Sequence, residues 1–161
     1  MRIGIISDTH IPYAAKKIPR KALDLFAGVD AIIHAGDFQD MSVIADLEAI
    51  APFYGVAGNM DDHTIKKLVP EKRIISLGGF SIGVMHGSGA PSGLEDRIEA
   101  CFKGEKLDAL IYGHTHTPAN IIKHNVLFFN PGSPTDSRFA EYNSIGILTL
   151  GATIAGEIVR L

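Results

Sequence analysis

The 161 residues are 46% hydrophobic and 20% charged, the balance of a chain that folds around a core, so disorder and low complexity are excluded. The net charge of −3 is spread evenly, with nine Lys/Arg against ten Asp/Glu in residues 1–80 and six against eight in residues 81–161. There is no basic half to bind nucleic acid and no polybasic segment to hold a membrane surface, and the length suits one domain, 1–161.

In chain order, residues 2–7 are a short apolar run ending in Ser7-Asp8, the pattern of a buried strand. The chain goes straight into that strand, with no secretory signal ahead of it, so a cytoplasmic setting is expected. Residues 19–27 carry Leu23 and Phe26 at helical spacing, with Gly28 as a stop. Ala31–His34 predicts a second strand closed by Ala35-Gly36, and residues 41–50 a helix with Ser42 near its start. Phe53–Ala57, closed by Gly58, is the third strand. Strand–helix–strand–helix–strand implies right-handed crossovers and parallel pairing.

The second half changes character. Arg73–Leu77 and Phe80–Met85 flank Gly78-Gly79, a hairpin signal. Residues 92–102 read as a helix with Ser92 as cap and Glu95 three residues on, its apolar face carrying Leu94, Ile98, Cys101 and Phe102. That places Cys101 in the core. A single cysteine leaves no partner for an internal disulfide and no cysteine zinc site, which again fits a reducing compartment. Strands follow at 108–112, 120–123, 126–129, 144–150 and 153–161, the later ones joined by His124-Asn125 and Gly151-Ala152 as antiparallel hairpins. The uncharged run Asn143–Gly156 is broken by glycines and is too short for a transmembrane helix. Apolar edges among these last strands leave room for a homo-oligomer. The whole reads as an α/β chain with two sheets packed face to face.

What stands at the strand ends is more specific. The exits carry Asp8-Thr9-His10, Gly36-Asp37, Gly58-Asn59, His86-Gly87 and Gly113-His114-Thr115-His116. Ligands of open α/β sheets collect outside the carboxyl ends of the strands, so these groups can meet in one place. Two carboxylates, four imidazoles and an amide exceed the needs of one tetrahedral ion but suit two ions of mixed nitrogen and oxygen preference. Buried together without a cation, the carboxylates would be costly. The i, i+2 spacing of Asp8/His10 and His114/His116 puts each pair on one side of an extended segment. Each residue alone also has an ordinary reading, Asp8 as a cap, Asn59 as a turn former, His10 as a solvated loop histidine.

Together these five blocks resemble the calcineurin-like metallophosphoesterase superfamily. The compact length and Asn130-Pro131-Gly132-Ser133 resemble its small bacterial and archaeal phosphodiesterase branch, which also includes the eukaryotic retromer subunit of the same fold. The resemblance implies a four-layer α/β/β/α sandwich with two packed mixed β-sheets. It implies that Asp8, His10 and His116 hold one metal, that Asn59, His86 and His114 hold a second, and that Asp37 bridges them. Two divalent ions about 3.5–4 Å apart, manganese first with nickel, zinc, iron or magnesium as alternatives, would activate a bridging hydroxide to attack a small phosphodiester. The alternatives are a protein-binding scaffold of the same fold and a phosphomonoesterase. Neither a membrane nor a nucleic acid is expected as partner.

One block departs from the family pattern. Its usual Gly-Asn-His supplies a proton donor for the leaving group, whereas Met60 stands at that position here and cannot donate a proton. His63 is the nearest substitute, though a surface histidine is the plainer reading. His34 reads as a core residue or one that orients a ligand. Lys16, Lys17, Arg20 and Lys21 read as a solvated group, Arg138 as a phosphate contact or a surface ion pair, and Asn130–Ser133 as the shaper of the turn beside His114 and His116.

Overall fold

The computed structural model of the protein describes all of residues 1–161. Fourteen elements follow one another: β1 (Arg2–Ile6), α1 (Arg20–Leu25), β2 (Ala31–His34), α2 (Met41–Glu48), β3 (Phe53–Gly55), α3 (His63–Leu68), β4 (Lys72–Leu77) and β5 (Phe80–Met85), then α4 (Leu94–Cys101), β6 (Ala109–Ile111), β7 (Ala119–Lys123), β8 (Val126–Asn130), β9 (Ser144–Leu150) and β10 (Ile154–Arg160). The strands form two five-stranded sheets, ordered β10-β9-β1-β2-β3 and β4-β5-β6-β8-β7. In the first, β1, β2 and β3 are parallel while β9 and β10 are antiparallel. In the second, β5, β6 and β8 are parallel, flanked by antiparallel β4 and β7.

Side-chain alternation along the strands generates the layers. Ile3, Ile5 and Ile33 of the first sheet meet Ile82, Val84, Ile111 and Phe129 of the second in a core between the sheets. The alternate residues, Ile6, Ile32, Ile145 and Ile147, face outward onto Ala22 and Phe26 beside α1, Val43, Ile44 and Leu47 of α2, and Ile65 of α3. On the far side Leu110, Tyr112 and Phe128 receive Leu94, Ile98 and Phe102 from α4. Helices, sheet, sheet, helix is the four-layer α/β/β/α sandwich that the motifs implied. No helix is long and apolar enough to cross a membrane.

One helix is added and two local expectations are corrected. The six residues His63–Leu68 form α3, capped by Asp62, whose carboxylate accepts from the Thr64 and Ile65 amides at 2.9 Å. Ser92 does not cap α4. Gly93 occupies that position in a left-handed conformation, with no side-chain cap. Cys101 is exposed rather than in the core, because positions four apart, Leu94, Ile98 and Phe102, fill the contact with the sheet and Cys101 stands off that row.

Candidate metal centre

Five parallel strands, β1, β2, β3, β5 and β6, deliver their following residues to one end of the sandwich. Asp8, His10, Asp37, His86 and His116 arrive there buried. His114 is half-buried and Asn59 is exposed. The i, i+2 pairs are not extended, contrary to the spacing argument. Asp8, His10, Asp37, His114 and His116 all have positive φ, between 44° and 72°, so it is a left-handed kink at each residue that turns its side chain inward. Two glycines permit this crowding. A Cβ on Gly58 would collide with the Asp37 carboxylate and amide, and one on Gly113 with Ser7 and Asp8.

Asp8 and Asp37 are held on several sides. The Ser7 hydroxyl donates to Asp8 Oδ2 at 2.6 Å and the His114 amide at 3.0 Å, while the Met60 amide donates to Asp37 Oδ1 at 2.7 Å. Burial opposes the charge on Asp8, but the surrounding imidazoles of His86, His10 and His116 outweigh it and hold its carboxyl far below the usual range. Asp8, His10 and His116 each place one ligand atom within 4.8 Å of the others, and so do Asp8, Asp37 and His86.

The outer nitrogen of each imidazole decides what the inner one offers. His86 Nδ1 donates to the Ala35 carbonyl at 2.7 Å, which turns Nε2 toward Asp37 Oδ2 at 3.2 Å and Asp8 Oδ1 at 3.7 Å. That buried Nε2 has no hydrogen-bond partner. His10 Nδ1 donates to Gln39 Oε1 at 3.1 Å, and His116 Nδ1 faces Asp136 Oδ2 at 3.5 Å. His116 Nδ1 makes no hydrogen bond, and the Nε2 atoms of His10 and His116 meet at 3.1 Å, close enough to share a proton or a cation. His114 Nε2 donates to the Gly89 carbonyl at 2.8 Å, leaving Nδ1 beside Asn59 Oδ1 at 3.1 Å. Ring nitrogens and carboxylates therefore converge on the centre, and this donor set fits divalent cations. Without one, a proton serves on His86. Burial opposes it, but Asp8 and Asp37 push the imidazole up to about 9.

Several residues that sequence reasoning missed complete the setting. Asp61, buried, accepts from the amides of Gly58, Asp37 and Gln39 at 2.8–3.0 Å and so fastens the exits of β2 and β3 together. Gln39 fixes His10. Asp136 backs His116 and is gripped by Arg138 through Nε at 2.9 Å and Nη2 at 2.6 Å, which lowers its carboxyl to about 2. A carboxylate three residues beyond Ser133 is the only sequence signal for it. Of the residues left open, Arg138 forms that ion pair and also lines the cavity over the centre. His34 is buried and orients the β1 exit, with Nε2 3.1 Å from the Thr9 hydroxyl and Nδ1 accepting from the Gly36 amide; burial lowers its pKa to about 3. Asn130 donates to the Gly113 carbonyl at 2.9 Å and to Thr115 Oγ1 at 3.1 Å, shaping the turn before His116. His63 is exposed on the first turn of α3 and is not among the residues lining the cavity, whereas Met60 is.

The model of the calcineurin-like phosphoesterase superfamily domain matches residues 1–153. A probable metallophosphoesterase of Methanothermobacter thermautotrophicus is 38% identical over 162 aligned residues, covering 99% of this chain and 92% of that protein. A phosphodiesterase of Methanocaldococcus jannaschii is 32% identical over 148 residues, 82% of this chain and 83% of its own length. Among solved structures, Vacuolar Protein Sorting 29 from Cryptosporidium parvum matches with a TM-score of 0.83 at 26% identity, over 99% of this chain and 91% of that one.

Proposed function

This chain belongs to the calcineurin-like phosphoesterase superfamily, a metal-dependent family, and we propose that within it the protein hydrolyses small phosphodiesters at a centre of two divalent cations. Asp8, His10 and His116 would hold one ion, Asn59, His86 and His114 the other, with Asp37 shared between them. Manganese is the first metal to try, then nickel, zinc, iron and magnesium. The observation that carries this reading is the set of converging donors: buried Nε2 atoms of His10, His86 and His116 aimed at one another and at two buried carboxylates, with the outer nitrogens of His10 and His86 already committed.

When bound, such ions act as Lewis acids that lower the pKa of water and neutralise phosphoryl charge. The chain's part is to prepare that site. Gln39 and the Ala35 carbonyl keep the proton-bearing nitrogens of His10 and His86 outward, so that the inner ones stay free, and Asp136 lies beside His116 Nδ1. Asp61 keeps the β2 and β3 exits in register. Met60 stands 55% exposed beside Asn59, where it brings no proton to a departing alkoxide. Substrates with good leaving groups are favoured accordingly, since general acid catalysis is worth about 10²–10⁴-fold to poor ones. A diester also suits the cavity better than a monoester, because the apolar side chains Tyr13, Met60 and Phe139 line it outside the polar floor.

The test is hydrolysis of bis-p-nitrophenyl phosphate by metal-stripped protein with manganese, nickel, zinc or magnesium restored, beside p-nitrophenyl phosphate and the Asp37→Ala variant. Metal-dependent turnover of the diester, faster than the monoester and absent in Asp37→Ala, is the expected result. The likeness to Vacuolar Protein Sorting 29 and the missing proton donor at Met60 favour a second reading, a scaffold that binds a protein. Two bound ions with no turnover under any metal would select it.

A further inference from the structure

The cavity over the centre has a volume of about 1060 Å³. Cavities of about 300–1,000 Å³ enclose drug-sized molecules, so this one holds far more than a phosphate group. Its floor is polar, with His10, Asp37 and His116 buried. Three of the large apolar side chains that the chain leaves exposed are gathered on its walls: Tyr13 at 81%, Phe139 at 67% and Met60 at 55% exposure.

Phe139 is fixed by the site itself rather than by the core. Its ring meets the His116 imidazole edge to face, centroids 5.5 Å apart at 77°, and its carbonyl accepts from the Thr117 hydroxyl at 3.1 Å. The Arg138 guanidinium, locked by Asp136, lies 5.8 Å from the Phe139 ring centroid. The base of the same segment is tied to the β1 exit, with Ser133 Oγ donating to the Asp8 carbonyl and Thr135 Oγ1 to the Thr9 carbonyl, both at 2.7 Å. A flat ring and a planar cation are thus held ready beside a ligand histidine, with most of the ring open to solvent.

We propose that Arg138 and Phe139 form a recognition platform for a planar aromatic group on the ester oxygen that the substrate retains when its leaving group departs. This deepens the phosphodiesterase reading and rests on it. An alkyl group gains only contact area there. An aromatic one adds offset stacking on Phe139 and the guanidinium's preference for aromatic faces, together worth about tenfold in affinity. The phosphate then sits over the floor while the ring lies along the wall. The platform selects the substrate, and the ligand residues are left to the reaction.

The experiment compares phenyl p-nitrophenyl phosphate with methyl p-nitrophenyl phosphate, which share a leaving group, in wild type, Phe139→Ala and Phe139→Trp. The ratio of their kcat/KM values is read as a change between variants, which cancels intrinsic reactivity. Phe139→Ala is expected to lower the phenyl-over-methyl ratio by about tenfold, chiefly through KM for the phenyl ester, and Phe139→Trp to restore it. A ratio unchanged in Phe139→Ala overturns the platform while leaving the phosphodiesterase reading intact. In parallel, calorimetry measures phenylphosphonate and methylphosphonate binding to manganese-loaded protein, a readout independent of turnover. If neither diester is hydrolysed, a phenyl preference in binding that disappears in Phe139→Ala keeps the platform and discards the phosphodiesterase reading. No phenyl preference in binding overturns the platform.

Discussion

The two flanks of the candidate metal centre are built differently. On one side Asp8, His10 and His116 are buried and carry a carboxylate whose charge their surroundings stabilise, with Gln39 setting the His10 ring and the Asp136 carboxylate beside His116. On the other, Asn59 is exposed, His114 is half-buried, and the His114 ring leans on the carbonyl of Gly89 in an exposed loop. Asp37 and His86 lie between them. The first flank can take a cation with little rearrangement and with direct charge compensation. The second offers an uncharged amide and a half-buried imidazole, with no carboxylate of its own and with Asn59 open to solvent. Pre-organisation and charge both point to unequal affinities for the two proposed ions.

Removing one ligand from each flank puts that comparison to its hardest test. Calorimetric titration with manganese should show two steps in wild type, a tight one and a weaker one separated by at least about tenfold, or 1.4 kcal/mol. His116→Ala should abolish the tight step, and His114→Ala only the weak one. Two equal steps in wild type, or loss of the tight step in His114→Ala, would break the asymmetry. Asp136→Ala should weaken the tight step by about 10–100-fold, the usual effect of removing a carboxylate that orients a ligand histidine. Asp136→Asn keeps a hydrogen-bond acceptor and should recover part of the loss. If Asp136→Ala binds manganese as wild type does, Asp136 has no hold on His116.

A smaller effect sharpens the middle of the site. His86 is buried against its own charge, yet Asp8 and Asp37 raise its pKa to about 9 in the ion-free protein. A cation has to displace that proton, so affinity should fall by up to about tenfold per unit as pH drops below 9, and ion uptake at pH 7.5 should release close to one proton. The sign for stability is opposite. A histidine with a raised folded pKa stabilises the ion-free protein fully below its unfolded value of about 6.5 and loses that contribution as pH rises toward 9. Ion-free protein that is as stable at pH 9 as at pH 6.5 would contradict this. The smallest expected effect is at His63. With its side chain outside the cavity lining, His63→Ala should leave aryl diester hydrolysis within about threefold of wild type, far from the 10²–10⁴-fold owed to a general acid. A larger loss would make His63 the missing proton donor.

The sequence made the layers and the meeting point of the motifs legible because both follow from strand period and from what stands at strand ends. Ile3, Ile5 and Ile33 alternate with residues facing the helices, and that alternation is written in the chain. The short helix α3 was not legible: six residues give less than two turns of pattern, although Asp62 ahead of Thr64 and Ile65 was a cap in plain view. Cys101 misled because an eight-residue helix buries a narrow row, and one step off that row is solvent. Asp136 and Gln39 were hidden for a different reason. Each acts on a histidine 20 or more positions away: the pairing of the β1 and β2 exits brings Gln39 to His10, and the folded approach of Ser133–Phe139 to the β1 and β6 exits brings Asp136 to His116. The kinks at Asp8, His10, Asp37, His114 and His116 were likewise invisible: Asp and His tolerate a left-handed conformation better than most side chains, but nothing in the chain marks these positions for it.

Those kinks set stability against chemistry. An L-residue in the left-handed region costs about 1–2 kcal/mol that glycine escapes, and five expected metal ligands sit there. In the absence of ions, mutational drift toward glycine at such positions would run downhill in folding free energy. His114→Gly, at the least buried of the five, should accordingly melt no lower in chelator than His114→Ala, which loses the same ring contacts but keeps the kink, and a lower midpoint would show the kink to be unstrained. Wild type should pull ahead once cations are supplied, because binding to the native state alone adds stability. Retaining these side chains is therefore something a lineage must keep selecting for, and a descendant freed from its ions would find loss of the centre the easier direction to evolve.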